Sequence, residues 1–228
     1  DFYKKWNYDV EYVGHPLVEV IEESRKLKVE SRKLTAGQDQ KIIALLPGSR
    51  KQEISIKLPI MLEVSKFFPD CKFIVAQAPS LEDSFIQAMT AMYPNVETVK
   101  GKTYDLLMSS DAALVTSGTA TLETALFGIP EVVCYKGSPV SYEIAKRVIK
   151  VKYISLVNLI MDRLVVRELI QHELNPENLK TELELILYNP ERREQLSKDY
   201  VELWNVLSKG GHASSKAAFS IHQMLSKS

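Results

Sequence analysis

Two short stretches of this sequence combine residue types that can hold an anion beside a sugar. Leu46-Pro47-Gly48-Ser49-Arg50 and Thr116-Ser117-Gly118-Thr119-Ala120-Thr121-Leu122-Glu123 each follow an apolar run and lead into a helical pattern. A strand, a turn of small residues and a helix start leave backbone N–H groups free at the helix N-terminus, where an anion such as a diphosphate can sit. In the first stretch Gly48 lets the backbone approach a ligand closely, Ser49 supplies a hydroxyl donor, and Arg50 offers a planar fork for phosphate oxygens. Glu53 falls one turn later, on the face of Arg50; an ordinary strand-to-helix turn with that pair in solvent fits the same residues. In the second stretch Ser117, Thr119 and Thr121 are small hydroxyl residues around Gly118, which permits φ > 0. Glu123, one helical turn inside, suits a pair of sugar hydroxyls. A plain N-cap at Ser117 or Thr119, with Glu123 complementing the helix dipole, fits as well.

The elements that must position these turns follow from the apolar pattern. Lys41–Leu46, Phe73–Ala76, Val96–Val99, Asp111–Val115 and Glu131–Tyr135 read as strands, several apolar throughout, as expected of strands covered on both faces. Helical segments alternate with them: roughly 51–67 with Pro59 kinking or restarting it, Leu81–Tyr93, Tyr104–Ser109 and Thr119–Phe127. Alternation at this pitch predicts a doubly wound parallel α/β sheet, with ligands at the carboxyl ends of the strands. A short extended piece, Asp9–Val13, and a charged helix, Val18–Lys33, precede the sheet. Beyond residue 140 the pattern turns helical: Tyr142–Lys150, Val165–Glu173, Pro176–Tyr188, Pro190–Leu207 and His212–Leu225. Arg163, Arg167 and Gln171 then share one helix face, the usual look of a solvated stripe.

The bulk composition narrows the function classes. At 228 residues the chain can bury a full core, and its 29 basic residues equal its 29 acidic ones, which argues against nucleic acid as the main partner. Cys71 and Cys134 lie in strand positions and read as small core hydrophobes, and the scattered His15, His172, His212 and His222 give no metal-ligand spacing. No metal and no cofactor is expected. The turns match neither the Walker nor the Rossmann dinucleotide fingerprint, and no Gly-x-Ser-x-Gly elbow is present. No apolar run reaches the ~20 residues of a membrane span. The start, Asp1-Phe2-Tyr3-Lys4-Lys5-Trp6, reads as a cut through a longer chain.

Several segments together resemble the lipid-A-disaccharide synthase family: Val13-Gly14-His15-Pro16-Leu17, Leu45–Arg50 with Glu53-Ile54, Ser109–Ala113 leading into Ser117–Glu123, Ala145-Lys146-Arg147, Ser155–Leu159 and Ala213–Ala218. The resemblance runs over nearly the whole chain, in the family's order. It implies the Rossmann-like C-terminal lobe of a GT-B glycosyltransferase fold with extra C-terminal helices, residues 1–20 being a linker from a missing N-terminal lobe and 21–228 the UDP-sugar-binding lobe. It further implies transfer of 2,3-diacylglucosamine from its UDP donor to 2,3-diacylglucosamine 1-phosphate, giving a β-1,6-linked lipid A disaccharide and UDP. Most of the acceptor site and the catalytic base would belong to the missing lobe, so this piece alone would be inactive.

Carried over by position, Ser117, Gly118, Thr119 and Ala120 would bind the diphosphate and Glu123 the ribose, with Thr121 a further donor-site residue. Gly48, Ser49 and Arg50 would reach the diphosphate from the other side, Arg50 stabilising the leaving UDP. Glu53, Asn158 and Arg163 match further donor-site positions, and fold analogy points to Thr98–Lys102 for uracil. The family setting implies a cytoplasmic enzyme peripheral to the inner membrane, and a homodimer is compatible with the apolar stripe Ala213, Ala217, Ala218, Ile221 and Leu225. Lys146, Arg147, Lys150 and Lys152 suit anionic lipid or a plain solvated helix face. The alternatives are the sugar-nucleotide lobe of another GT-B protein, such as a UDP-sugar epimerase or a peptidoglycan glycosyltransferase, and a non-catalytic association module built on the last helix.

Overall fold

Among the described residues the five expected strands, β1 (Ile42–Leu46), β2 (Lys72–Gln77), β3 (Val96–Lys100), β4 (Ala112–Thr116) and β5 (Glu131–Tyr135), are joined by a sixth, β6 (Arg167–Ile170). A computed structural model describes residues 3–28, 40–138 and 152–226. Two compact units divide the chain, Thr35–Tyr200 on one side and Asp1–Leu34 with Val201–Ser228 on the other.

In the larger unit the strands lie in the order β3-β2-β1-β4-β5-β6. Every pairing is parallel. β4 is buried along its whole length and β1 along all but its first residue, as expected of central strands with helices on both faces. β3, at one edge, is half-exposed. The connections are α2 (Lys51–Ser65), α3 (Asp83–Thr90), α4 (Thr103–Ser109) and α5 (Thr119–Leu126), α1 being Pro16–Lys28 in the smaller unit. α2 continues through Pro59 as one helix and buries Leu58, Met61 and Leu62. Each such side chain stabilises the fold by about 1.5–3 kcal/mol. Cys71 and Cys134 are buried free thiols.

The region after β5 departs from the expected pattern. The helix expected over Val165–Glu173 is instead β6 followed by a 3-10 turn, Gln171–Glu173. β6 pairs with β5 from Val132↔Arg167 to Tyr135↔Ile170. Val165, Val166 and Leu169 are buried there, so a sheet ladder and apolar burial outweigh the helical spacing of Arg163, Arg167 and Gln171. Before β6 comes a short helix, α6 (Leu156–Met161), capped by Ser155, whose hydroxyl accepts from the Asn158 N–H. After it come α7 (Pro176–Tyr188) and α8 (Pro190–Ser208). Pro176 opens α7, and the Asn175 side chain caps it by accepting from the Asn178 N–H at 2.9 Å. The helix expected over Tyr142–Lys150 lies outside the described residues.

The smaller unit holds a 3-10 turn (Tyr3–Trp6), α1, the end of α8 from Val201, and α9 (Ala213–Ser226). Gly14 (φ 101°) and Gly210 approach so closely that a Cβ on Gly210 would stand 1.9 Å from the Gly14 nitrogen. That contact brings the His15 N–H to the Leu207 carbonyl at 3.2 Å. Tyr12 donates to the same carbonyl at 3.0 Å, and Glu19 accepts from the Ser214 N–H at 3.1 Å. Along the stripe read on α9, Ala213 is buried, whereas Ile221 and Leu225 are exposed.

Candidate functional site

β1 and β4 are neighbours and run in step, Leu46 opposite Val115, so the two glycine turns emerge side by side at the carboxyl edge of the sheet. Strand order reverses direction between them, which is where doubly wound sheets open a crevice. A cleft of about 490 Å³ occupies this place. Gly48, Ser49, Arg50 and Glu53 line it from the first turn, and Thr116, Ser117, Gly118, Thr119, Ala120 and Glu123 from the second. Leu46, Ala76, Ala78 and Thr103 complete the lining.

Backbone geometry explains the glycines. Gly118 caps α5 at φ 153°, ψ −162°, a region open essentially to glycine alone. Gly48 has φ 111°, and a Cβ there would lie 3.0 Å from a Glu53 carboxylate oxygen. The turns thereby aim two helix N-termini, those of α2 and α5, into one cleft. No side chain caps either N-terminus. The N–H groups that open each helix, Thr121 excepted because it donates to the Gly118 carbonyl at 3.2 Å, are free of a cap from the N-cap residue and can meet oxygen acceptors.

The side chains are held with a definite division of labour. Arg50 donates to Glu53 at 3.2 Å. Thr119 is exposed at the cleft mouth. The Ser117 hydroxyl donates to the Ile154 carbonyl at 2.9 Å, so its proton is committed to the fold while its oxygen keeps acceptor capacity. Glu123 is partly buried; desolvation raises its pKa, opposed by the Tyr104 hydroxyl, which donates to it at 3.2 Å. The Tyr104 phenol is pushed up to about 12, first by burial and then by the Glu123 charge. Its ring packs 5.0 Å from that of Phe127, which fixes the direction of the hydrogen bond. One Glu123 oxygen is thereby tied down while the carboxylate keeps acceptor capacity for a diol.

Three of the residues read as donor-site positions lie away from the cleft lining. Thr121 is buried and its hydroxyl donates back to the Gly118 carbonyl at 2.8 Å, bracing the α5 turn. Asn158 is fully buried, accepts from the Val165 and Val166 N–H groups, and donates to the Val166 carbonyl and to Glu168. Glu168 in turn accepts from the Ile154 and Ser155 N–H groups. This polar knot fastens the 154–158 loop to β6 and so supports the carbonyl on which Ser117 rests. Arg163 pairs with the buried Asp199 at 2.8 Å. Of the Thr98–Lys102 stretch, Lys100 bonds Asp83 and the Leu81 carbonyl, and the Gly101 N–H donates to the Gln77 carbonyl. None of that stretch lines the cleft, although the adjacent Thr103 does.

Sequence reasoning passed over Tyr104 and Lys57. Lys57 occupies the buried face of α2 with Ile54, Leu58 and Met61. A lysine at i+3 in an apolar i, i+3, i+4, i+7 stripe is the signal that could have drawn notice. Among the described residues no group of His, Cys, Asp and Glu side chains is placed to hold a metal ion, and no helix is long and apolar enough to cross a membrane.

A family model for lipid-A-disaccharide synthetase matches residues 1–222. The lipid-A-disaccharide synthase of Syntrophus aciditrophicus (strain SB) is 37% identical over 225 residues, 96% of this chain and 59% of the relative. That of Geobacter metallireducens is 34% identical over 231 residues, 99% of this chain and 60% of the relative. The chain thus spans about three fifths of the length of these curated relatives. Among solved structures, the UDP-GlcNAc 2-epimerase from Neisseria meningitidis bound to UDP-GlcNAc superposes with TM-score 0.59 at 18% identity, over 95% of this chain and 55% of that one. A glycosyltransferase involved in lipopolysaccharide biosynthesis does so with TM-score 0.53 at 14% identity, over 83% of this chain and 50% of that one. At these identities the likeness is one of fold, the Rossmann-like lobe of the GT-B architecture. The match over residues 1–222, with relatives above 30% identity over nearly the whole chain, shows that this chain belongs to the lipid-A-disaccharide synthetase family.

Proposed function

We propose that this chain is the donor-binding lobe of a lipid-A-disaccharide synthase that moves 2,3-diacylglucosamine from UDP to 2,3-diacylglucosamine 1-phosphate. The observation that carries the reading is the convergence of two uncapped helix N-termini, one arginine and one diol-suited carboxylate on a single cleft at the strand-order reversal. The diphosphate of the donor lies between the Gly48–Arg50 and Gly118–Ala120 turns, and the ribose hydroxyls donate to Glu123. As the bond from the sugar C1 to the diphosphate oxygen breaks, its electron pair leaves with UDP. The N–H groups of both turns and the Arg50 guanidinium stabilise the charge growing there. The acceptor hydroxyl attacks C1 and gives up its proton to a base. That base and the acceptor site belong to a lobe beyond the matched region, with residues 1–20 as the connection, and this chain by itself binds donor without turning it over. Uracil packs toward the Ala78 and Thr103 side of the cleft. The whole enzyme works at the cytoplasmic face of the inner membrane, and the exposed stripe on α9 serves a homodimer contact.

Isothermal titration with UDP, alongside a Glu123→Ala variant, tests the site. Saturable binding that weakens in the variant supports the reading. A full-length protein that gives no heat at millimolar UDP would sink it.

A further inference from the structure

Lys57 is 4% exposed yet carries an ammonium directly beneath the cleft. It donates to the Thr116 hydroxyl at the carboxyl end of β4 and stands 3.7 Å from a Glu53 carboxylate oxygen. The other Glu53 oxygen accepts from Arg50. Side-chain exposure falls along this row from 82% at Arg50 through 38% at Glu53 to 5% at Lys57. Charges therefore alternate from the rim of the cleft to its buried base. Burial lowers the Lys57 pKa, and the Glu53 carboxylate opposes that shift and favours the ammonium. An apolar side chain of similar volume would fill this core position at lower cost, so packing alone does not account for a lysine.

The electrostatics of an anion site do account for it. Glu53 and Glu123 both line a cleft proposed to hold a diphosphate. Without Lys57, the Arg50–Glu53 pair is neutral overall and its carboxylate faces the ligand's own negative charge. We propose that Lys57 is a positioning residue of the donor site: it cancels Glu53 from below, so that Glu53 can hold Arg50 at the cleft without repelling the diphosphate. This rests on the donor-lobe reading above.

The test is a double-mutant cycle on Lys57→Met and Glu53→Gln, each protein titrated with UDP and with uridine, and melted in parallel. Uridine carries the base and the diol but no phosphate. Lys57→Met is expected to lose roughly tenfold in UDP affinity, with uridine affinity unchanged. Adding Glu53→Gln to Lys57→Met is expected to restore part of that loss, because it removes the uncompensated carboxylate. Equal losses for UDP and uridine, or a double variant no better than Lys57→Met, would make Lys57 a structural prop and overturn the proposal. Wild-type protein that ignores UDP would bring down the donor-lobe reading itself, and this inference with it. If Lys57→Met does not fold, Lys57→Gln keeps a donor toward Thr116 while dropping the charge.

Discussion

Glu131 opens β5 with a side chain that is fully buried, and among the described residues neither carboxylate oxygen has a hydrogen-bond partner. Burial pushes its pKa well above the ordinary 4.5, so the fold holds it neutral. Its titratable neighbours do not relieve it. The Cys134 thiol on the same strand and the Tyr200 phenol on α8 are themselves pushed up by burial. The sign follows from proton linkage. Below the ordinary carboxylate value both folded and unfolded chains are protonated and the stability is full. Above it the unfolded chain loses the proton while the fold retains it, and stability declines by about 1.4 kcal/mol per pH unit until the raised folded pKa is passed.

Each pH unit within that window amounts to about 1.4 kcal/mol, or a Tm change of about 3–6 °C for a chain of this size. Glu131→Gln removes the ionisation alone, and Glu131→Met also removes the buried unpaired polar group, a further stabilisation of about 1–3 kcal/mol. Calorimetric melts of wild type and both variants across this range are the assay. The expected result is a wild-type Tm that falls relative to both variants as pH rises, with Glu131→Met the most stable throughout. Curves that run parallel, or a Glu131→Met protein less stable than wild type at the upper pH, would refute the reasoning.

Glu123 accepts a diol only as the carboxylate, and burial has raised its pKa, so UDP affinity is expected to fall as pH drops through that raised value. Tyr104→Phe removes the hydrogen bond that opposes the rise and should move this acid limb to higher pH, as read by UDP titration over a pH series. Gly118→Ala meets open space but not an accessible backbone conformation, so it should cost about 1–3 kcal/mol in thermal stability and weaken UDP more than it weakens uridine. Asn158→Ala takes the side-chain acceptor from the buried Val166 N–H and one of the donors from Glu168, and should destabilise by about 3 kcal/mol, with a lowered Tm as the readout.

Local pattern was enough for much of this protein. Continuous apolar runs mark β1, β4 and β5 because strands covered on both faces need apolar residues on both. The turns at Gly48 and Gly118 were legible because glycine at a strand end meets a local backbone requirement, φ > 0 or a glycine-only region, independent of what packs nearby. The last three helices announced themselves by Pro176, Pro190 and the Gly210-Gly211 break. Tertiary structure alone decided which turns would meet. That β1 lies against β4 rather than β3 is a matter of sheet order, carried by hydrogen bonds between residues some 70 positions apart, such as Asp111 N–H to the Ile42 carbonyl. It also decided that Arg167–Ile170 would be a strand, since the β5 ladder outweighs a helical spacing of four residues. Asn158 illustrates the limit most clearly. Its residue type suits a ligand or a buried knot equally well, and only the loop folding back onto β6 supplies the two N–H groups, the carbonyl and the carboxylate that absorb all its hydrogen bonds.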